Sequence, residues 1–348
     1  MTEYSGVNEA IRQLSICNAC RYCEGYCYVW DAIEMKFIIE PGYVEHLANL
    51  CHDCRDCYYA CPYNEPDHAF KLNIPKTLGN VRMETYENFI RPKILKKVLQ
   101  KEGIITLLTI IIIFIASLLY ISSRFGIYNF YKIPVTSVFP VYLFKGVSYF
   151  IYLYVAVLWI FEGVAYWNEI NDGKHMNSMG IFKAIYDAIN HKNFWGGGTG
   201  CKIPSENNKY ERPVAHMMVF FGFIIALISV LFYPGIISGY AGYAYFIGSI
   251  LLFAGSIGMI HIHMVDTKGL RSEKQSAIDY PFTVLLFFVG FTGILIPISV
   301  KTYIFNWNFL IHDVFILTLF ILAPFSKFIH PLFRFLSLIK YRIDTGSS

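Results

Sequence analysis

The chain changes from a polar N-terminal region to long apolar runs that begin after residue 103. The six apolar stretches are residues 104–121, 146–167, 214–233, 243–262, 281–300 and 309–329. A helix rises about 1.5 Å per residue, so each stretch is long enough to cross a hydrocarbon core of roughly 30 Å. The pattern therefore predicts a mostly α-helical protein that contains a six-helix transmembrane bundle.

The polar segments divide the rest of the chain into a head, a connector, a long loop and a tail. Residues 1–81 are polar and rich in cysteine, and residues 82–103 form a basic connector to the first apolar stretch. The membrane domain is predicted over residues 104–331, with a long loop at 168–213, and such long loops are usually functional or disordered. The basic, aromatic tail at 332–348 is predicted to lie as an interfacial helix on anionic lipid.

Composition supports a membrane protein and argues against a nucleic-acid partner. Hydrophobic residues make up 55% of the 348 residues and charged residues only 16%, which is too apolar for an ordinary soluble chain. The net charge is +4, and no block of lysine and arginine is interleaved with aromatic residues as a nucleic-acid surface requires. We therefore expect membrane lipid, and no nucleic acid, as a partner.

The distribution of lysine and arginine predicts the orientation in the membrane. Seventeen lie in the head connector, the second and fourth connections and the tail, whereas four lie in the opposite loops. Because loops rich in lysine and arginine stay in the cytoplasm, both termini are predicted to be cytoplasmic. The first thirty residues carry no continuous apolar core, so they are not typical of a secretory signal.

Eight cysteines in the head form two runs of the same spacing, C-x2-C-x2-C-x3-C. In two-cluster ferredoxins the first three cysteines of a run bind one 4Fe-4S cluster, and the fourth binds the other cluster. We call the two predicted ligand groups the first and second cysteine sets. The first cysteine set is Cys17, Cys20, Cys23 and Cys61, and the second cysteine set is Cys51, Cys54, Cys57 and Cys27.

Two other uses of cysteine remain open at this point. Structural zinc favours paired C-x2-C knuckles separated by a longer loop, and disulfides are disfavoured in a reducing cytoplasm. Between the two runs lie the 23 residues 28–50, and their helix-compatible end favours a helical, ferredoxin-like domain with two clusters. The spacing as a whole predicts iron-sulfur clusters rather than either alternative.

Histidines near the ends of the apolar stretches are candidate ligands of haem iron, since haem b takes two imidazoles from neighbouring helices. His216 begins the third stretch and His330 is predicted to end the sixth, both on the cytoplasmic side. His261 and His263 end the fourth stretch on the same side, but they are about 200° apart around a helix, so at most one could face an iron. His312 begins the sixth stretch on the outer side, without a partner histidine. The alternative is that these side chains only keep their polar tips in the headgroup region.

Two acids in the apolar stretches are candidates for proton handling during quinone reduction. Glu162 lies in the cytoplasmic third of the second stretch, and an acid inside a membrane is costly unless it has a function. A lysine-paired or snorkelling acid is the alternative. Asp313, beside His312, is a candidate for a proton path at the outer face.

One glycine-rich segment and the ninth cysteine carry less chemistry. The run at 196–201 lacks the Gly-Lys-Ser/Thr ending of a phosphate-binding loop, so a flexible loop is expected there. Its Cys201 is interpreted as structural.

The combination of these features resembles the tricarballylate/citrate utilisation protein B family over nearly the whole chain. The resemblance rests on the two cysteine runs, the 196–201 segment before His216, and the sixth stretch with His312 and the ending at 327–330. It implies a soluble FAD-containing dehydrogenase that oxidises tricarballylate, and a membrane partner in the bacterial inner membrane that passes the electrons to quinone. By the same resemblance, His216 and His330 are the stronger candidates for haem ligands.

The sequence thus predicts an electron-transfer protein with two 4Fe-4S clusters, one or two b haems and quinone as acceptor. No G-x-G-x-x-G unit is present to bind a dinucleotide, so oxidation of the organic acid is expected on the partner. A quinone-linked subunit for a different donor is one alternative. A membrane-bound redox sensor that turns over no electrons is another.

Overall fold

The computed structural model describes residues 6–36, 38–65, 68–138, 141–173, 178–195, 211–232, 239–265 and 269–346. The α-helices in these ranges are α1 Gly6–Cys20, α2 Tyr28–Ile33, α3 Pro41–Leu50, α4 Asp56–Tyr59, α5 Ile74–Phe89, α6 Lys96–Gln100, α7 Glu102–Arg124, α8 Val135–Val138, α9 Val141–Ile170, α10 Ser178–Asn190, α11 Glu211–Phe232, α12 Gly239–Val265, α13 Glu273–Ser299, α14 Phe305–Leu322 and α15 His330–Asp344. Short 3-10 helices lie at Lys93–Leu95, Ile127–Lys132, Ala323–Phe325 and Lys327–Ile329. Within these ranges the only β-pairing is an isolated bridge between Asn64 and Leu72. The predicted mostly α fold is therefore confirmed.

Helices α1 to α5 form the head, and their ends follow from local sequence signals. The side chain of Asn73 caps α5 by accepting a hydrogen bond from the backbone N–H of Lys76 at 3.2 Å, and Pro75 occupies the first turn, where proline is tolerated. The apolar faces of these helices meet in one core, in which Leu14, Leu47 and Leu78 are fully buried. This core holds the cysteine-bearing loops in place.

Six helices are long and apolar enough to cross a membrane, as the sequence predicts. They are Glu102–Arg124, Gly146–Ile170, Glu211–Leu231, Gly239–Val265, Glu273–Ser299 and Phe305–Phe325. In hydrocarbon each backbone polar group must be paired within the protein, and a continuous helix achieves this. The chain is a multi-pass membrane protein.

Glycines bring α11 and α12 into backbone contact. A Cβ atom added to Gly222 would lie 2.5 Å from the backbone nitrogen of Leu252, and one on Gly255 would lie 2.7 Å from the carbonyl oxygen of Ala215. Small residues allow such close approach between membrane helices, whose association depends on packing. A larger side chain at either position would force the two helices apart.

The sixth membrane helix ends earlier than the sequence predicts. Helix α14 ends at Leu322, and two short 3-10 helices then lead to His330, which begins α15. Pro324 and Pro331 lack the backbone N–H that a continuing helix needs, and the Ser326 side chain accepts from the backbone N–H of Phe328 at 3.2 Å. The prediction that His330 ends the sixth span is therefore wrong, because the chain turns before reaching it.

Helix α15 packs against the head along one face. Phe333 and Leu338 are buried, and the ammonium group of Lys340 lies 3.0 Å from carboxylate oxygens of both Asp172 and Asp344. The predicted contact of the tail with anionic lipid stays a prediction. Helix α5 crosses the predicted boundary between head and connector, so the head continues beyond residue 81.

Candidate functional site

The cysteine-bearing loops follow the ends of short helices and turn through left-handed residues. Arg21, Asp53 and Arg55 have φ angles of 56°, 57° and 69°, and each lies between or beside cysteines of one run. Residues other than glycine adopt this conformation at some cost, which the surrounding contacts must offset.

The thiols gather in two neighbourhoods. Burial raises the pKa of Cys17 to about 12, and the next largest effect comes from Cys61 in the other run. Burial likewise raises the pKa of Cys27 to about 12, with Cys51 next. Each run thus brings its last cysteine close to the other run, as a crossed assignment of ligands requires.

The donor atoms of these neighbourhoods fit an iron-sulfur cluster. Burial raises the pKa of Cys54 and Cys57 well above the usual range, so these thiols become thiolates only when a cation compensates the charge. The backbone N–H of Asp53 donates to the Cys51 sulfur at 3.3 Å, and that of Tyr63 donates to the Cys61 sulfur at 3.3 Å. Hydrogen bonds of this kind stabilise cluster sulfurs.

Neither a site for a single metal ion nor a disulfide is found among the described head cysteines. Among the residues that the structure describes, no three histidine, cysteine or acidic side chains converge as ligands of one metal ion. All eight head cysteines are free, and Cys20 is exposed to solvent. The first cysteine set thus reaches the surface of the head through Cys20.

The second cysteine run lies against the membrane domain. Arg212, at the start of α11, donates to the carbonyl oxygen of Asp53 at 2.6 Å. Arg334 of α15 donates to the carbonyl oxygen of Leu50 at 3.0 Å, and Arg82 of the head donates to Gln275 of α13 at 3.1 Å. The first two contacts join the second cysteine run, and the residue before it, to α11 and α15. Arg82 links the run to α13, because it also donates to the carbonyl oxygen of Cys51 at 2.7 Å.

A group of histidines lies at this junction. The rings of His191 and His216 are 5.1 Å apart between centroids, and Phe194 stacks on His52 at 4.9 Å. His52 also contacts Arg334 and directly follows the ligand candidate Cys51. The histidines therefore bridge the distance between the second cysteine set and the membrane helices.

His216 and His330, the stronger haem-ligand candidates, differ in what their Nδ1 atoms contact. The Nδ1 atom of His216 is buried without a hydrogen-bond partner. His330 holds Tyr86 through Nδ1 at 3.3 Å, which leaves Nε2 to ligate, and second-shell contacts of this type orient metal-binding imidazoles. Both side chains retain some accessible surface. The unpaired buried nitrogen of His216 is Nδ1, whereas haem iron binds Nε2, so haem ligation by the candidate pair His216 and His330 stays a prediction.

The weaker candidates are engaged elsewhere. His261 is exposed and pairs with Glu211 at 2.5 Å, and His263 contacts Arg271. Both ring nitrogens of His312 are in hydrogen bonds, Nε2 with the Tyr245 hydroxyl at 2.7 Å and Nδ1 with Thr292 at 2.8 Å. A ligand role for His312 would require both of these hydrogen bonds to rearrange.

The two candidate proton-handling acids have different surroundings. Glu162 is fully buried, with one oxygen 3.2 Å from the backbone nitrogen of Arg91 and the other without a partner. Asp313 is partly exposed, and no residue in the described ranges forms an ion pair with it. Pairing of Glu162 with a lysine, which the sequence leaves open, is not found among the residues that the structure describes.

Several residues at the junction cannot be singled out from sequence. His52 had the one available signal, its place next to Cys51. Arg82, Arg334 and His191 occur in segments that read as a basic connector, a tail and a loop. The glycine run 196–201 with Cys201 lies outside the described residues.

Comparisons with known proteins agree with this architecture. Residues 10–88 match a family described as the citrate utilization protein B Fer4-like domain, and residues 91–347 match the family citrate utilization protein B. The chain is 28% identical to citrate utilization protein B of Escherichia coli, over 97% of this chain and 92% of that protein. No solved structure matches the chain. With both the ferredoxin-like head and the membrane half matched, the chain belongs to the citrate utilization protein B family.

Proposed function

We propose that this chain carries electrons from the reduced FAD of a soluble dehydrogenase to quinone in the membrane. Two 4Fe-4S clusters, held by the first and second cysteine sets, and a haem b held by His216 and His330 supply the one-electron carriers. The substrate that we propose for the dehydrogenase is tricarballylate. The membrane is proposed to be the bacterial inner membrane, with both termini in the cytoplasm.

The observation that carries this proposal is that the two cysteine sets lie at different ends of the head. Cys20 of the first cysteine set is exposed, so a soluble donor can approach it. The loop of the second cysteine set is hydrogen-bonded to the membrane half through Arg212 and Arg334. An electron that enters at the exposed end has its exit at the membrane surface.

The residues between the second cysteine set and the membrane helices suit a quinone-reducing or haem-binding site. Burial, with Lys327 and Arg82 next, lowers the pKa of His330 well below its usual value. A neutral imidazole is the form that ligates iron or accepts a proton. Glu162, a buried acid of α9, is proposed to handle protons during quinone reduction, and Asp313 is proposed to act similarly at the outer face.

The test uses the full chain, purified without oxygen in detergent. Iron, acid-labile sulfide and haem are measured, and optical and EPR spectra are recorded after addition of the FAD dehydrogenase with tricarballylate or citrate. We expect the clusters to be reduced by the dehydrogenase and reoxidised by menaquinone or ubiquinone. Cys57→Ser is the matched control, because it should abolish the signal of one cluster while the membrane domain still folds.

Each part of the proposal has its own contrary result. A colourless, iron-free chain would refute the presence of clusters, and a spectrum without a haem band would refute the presence of haem. Clusters that are reduced by the dehydrogenase but never reoxidised by quinone would favour a redox sensor. Reduction by another flavoprotein alone would change the donor.

A further inference from the structure

The end of helix α3, just before Cys51, is held by two arginines from different parts of the chain, of which Arg82 is buried and Arg334 is partly exposed. Arg82 of α5 donates to the carbonyl oxygen of Ala48 through Nε at 2.9 Å and through Nη2 at 2.8 Å. Its Nη2 also donates to the carbonyl oxygen of Cys51 at 2.7 Å. The last carbonyls of a helix lack partners within the helix, and these bonds satisfy them.

Arg334 approaches the same helix end from the membrane side. Its Nη1 donates to the carbonyl oxygens of Leu50 at 3.0 Å and Asn49 at 3.4 Å, and its Nη2 contacts the ring of His52. The two guanidinium groups thus clamp the segment that leads into the second cysteine set. One comes from the head and the other from the helix that follows the sixth span.

Capping alone does not explain two full charges at this position. Neutral amides could satisfy the same carbonyls, whereas a buried cation without a counter-ion is strongly unfavourable. Arg82 is only 3% exposed. Within the described residues its hydrogen-bond partners are two carbonyls and the Gln275 amide, and Arg334 likewise has no carboxylate within ion-pair distance. A counter-ion is therefore expected nearby.

The group beside the two charges is the second cysteine set. Among the charged groups that act on Cys51, Arg82 has the largest effect, the Asp53 carboxylate opposes it, and Arg334 adds to it. A four-iron cluster with four thiolates is a net anion and becomes more negative by one charge on reduction. Nearby positive charge stabilises the reduced form more than the oxidised form, which raises the reduction potential.

The first cysteine set has different surroundings. Arg21, which lies between Cys20 and Cys23, is exposed to solvent, so water screens its charge. Arg12, the arginine of α1, has its charge compensated by Glu9 at 2.5 Å. The buried positive charge without a carboxylate partner, that of Arg82, therefore lies beside the second cysteine set.

We propose that Arg82 and Arg334 are positioning residues that raise the reduction potential of the cluster at the second cysteine set above that of the first. One electron leaves the cluster at the first set and enters the cluster at the second set, and no bond forms or breaks. The two charges make this transfer toward the membrane favourable. The inference rests on the proposed function, because it requires both cysteine sets to hold clusters.

The test is a potentiometric titration followed by EPR on the full-length protein in detergent, with Arg82→Gln and Arg334→Gln. At a fixed ambient potential, we expect each variant to lower the ratio of reduced to oxidised second cluster about tenfold, which is about 59 mV for one electron. The first cluster should titrate unchanged. Arg12→Gln is the matched control and should change neither cluster.

Lysine variants separate charge from hydrogen-bond geometry and from folding. Arg82→Lys and Arg334→Lys keep the charge and should titrate close to the parent. If the glutamine variants lose the second cluster while the lysine variants hold it at the parental potential, the requirement for charge is upheld. Glutamine variants that retain the second cluster at the parental reduction potential would overturn the inference. Lysine variants whose potential shifts as far as that of the glutamine variants would overturn it too.

Failure of the proposed function gives a different result. If quinone does not reoxidise the parent protein, the two cluster potentials can still be measured and compared among the variants. Conversely, a parent that reduces quinone, with equal potentials for both clusters, would contradict the inference and leave the function intact.

Discussion

Asp279 is the shared anion of a buried ion-pair network at the start of α13. Its Oδ1 lies 2.7 Å from Lys327 Nζ, and its Oδ2 lies 2.6 Å from Arg271 Nη2. Gln275 donates to the same carboxylate at 3.2 Å. The side chain of Asp279 is 8% exposed and that of Lys327 is 13% exposed. Asp279→Asn keeps the shape of the side chain but leaves two largely buried cations without their shared carboxylate.

The expected loss of stability follows from this burial. Removing one partner of a buried ion pair costs about 3–5 kcal/mol, because the remaining charge stays desolvated. At roughly 2–4 °C per kcal/mol for a chain of this order of size, the apparent Tm should fall on the order of 10 °C. The network links α13 to the segment before α15, so the junction with the head should loosen first.

The assay is thermal unfolding of the detergent-solubilised chain, followed by loss of the monodisperse peak. Asp313→Asn is the matched control, since Asp313 is an aspartate of a membrane helix without an ion-pair partner among the described residues. Adding Lys327→Met to Asp279→Asn removes one orphaned cation and should recover part of the loss. An Asp279→Asn protein as stable as the parent, or a double variant less stable than the single one, would refute the reasoning.

Three further outcomes are expected. Gly255→Val should lower the Tm of the purified chain, because its Cβ would meet α11 backbone atoms at 2.7 Å, whereas Gly146→Val, with no atom within 4 Å of the added Cβ, should not. Burial raises the pKa of Glu45 from 4.5 to about 7, so the native state holds the proton more tightly and stability should fall as pH rises across that interval. Glu45→Gln should remove this pH dependence, and a parallel fall in both proteins would contradict it. Cys61→Ser should abolish the EPR signal of the cluster held by the first cysteine set, although Cys61 belongs to the second run. Iron content and EPR spectra check this outcome.

The fold was accessible from sequence wherever one strong local signal decided it. The length of each apolar stretch fixes a membrane helix, because hydrocarbon leaves the backbone no other way to pair its polar groups. The end of the sixth span was misplaced because 309–329 is predominantly apolar up to its last residue. There the chain turns at Pro324 and Ser326, and a hydropathy pattern does not register such a turn.

The candidate site was accessible only in part. Spacing alone pointed to the eight cysteines, because three ligands of each cluster follow one another closely along the chain. The contacts of Arg82 with Ala48 and of Arg334 with Leu50 could not be predicted from the sequence. Arg82 lies in a different helix from Ala48, and Arg334 comes after all six spans. Their hydrogen bonds join residues 34 and 284 positions apart.

By itself the sequence determined the class of the protein: a cysteine-rich head whose thiols suit iron-sulfur chemistry, followed by six membrane helices. Those features are local, because they depend on the spacing of a few residues or the polarity of one segment. Only the tertiary structure decided which cysteine run meets the half of the chain with the six long apolar helices, which histidines lie at that junction and which arginine is buried beside it. Such features depend on distant segments meeting in space, where burial and fixed charge set the chemistry.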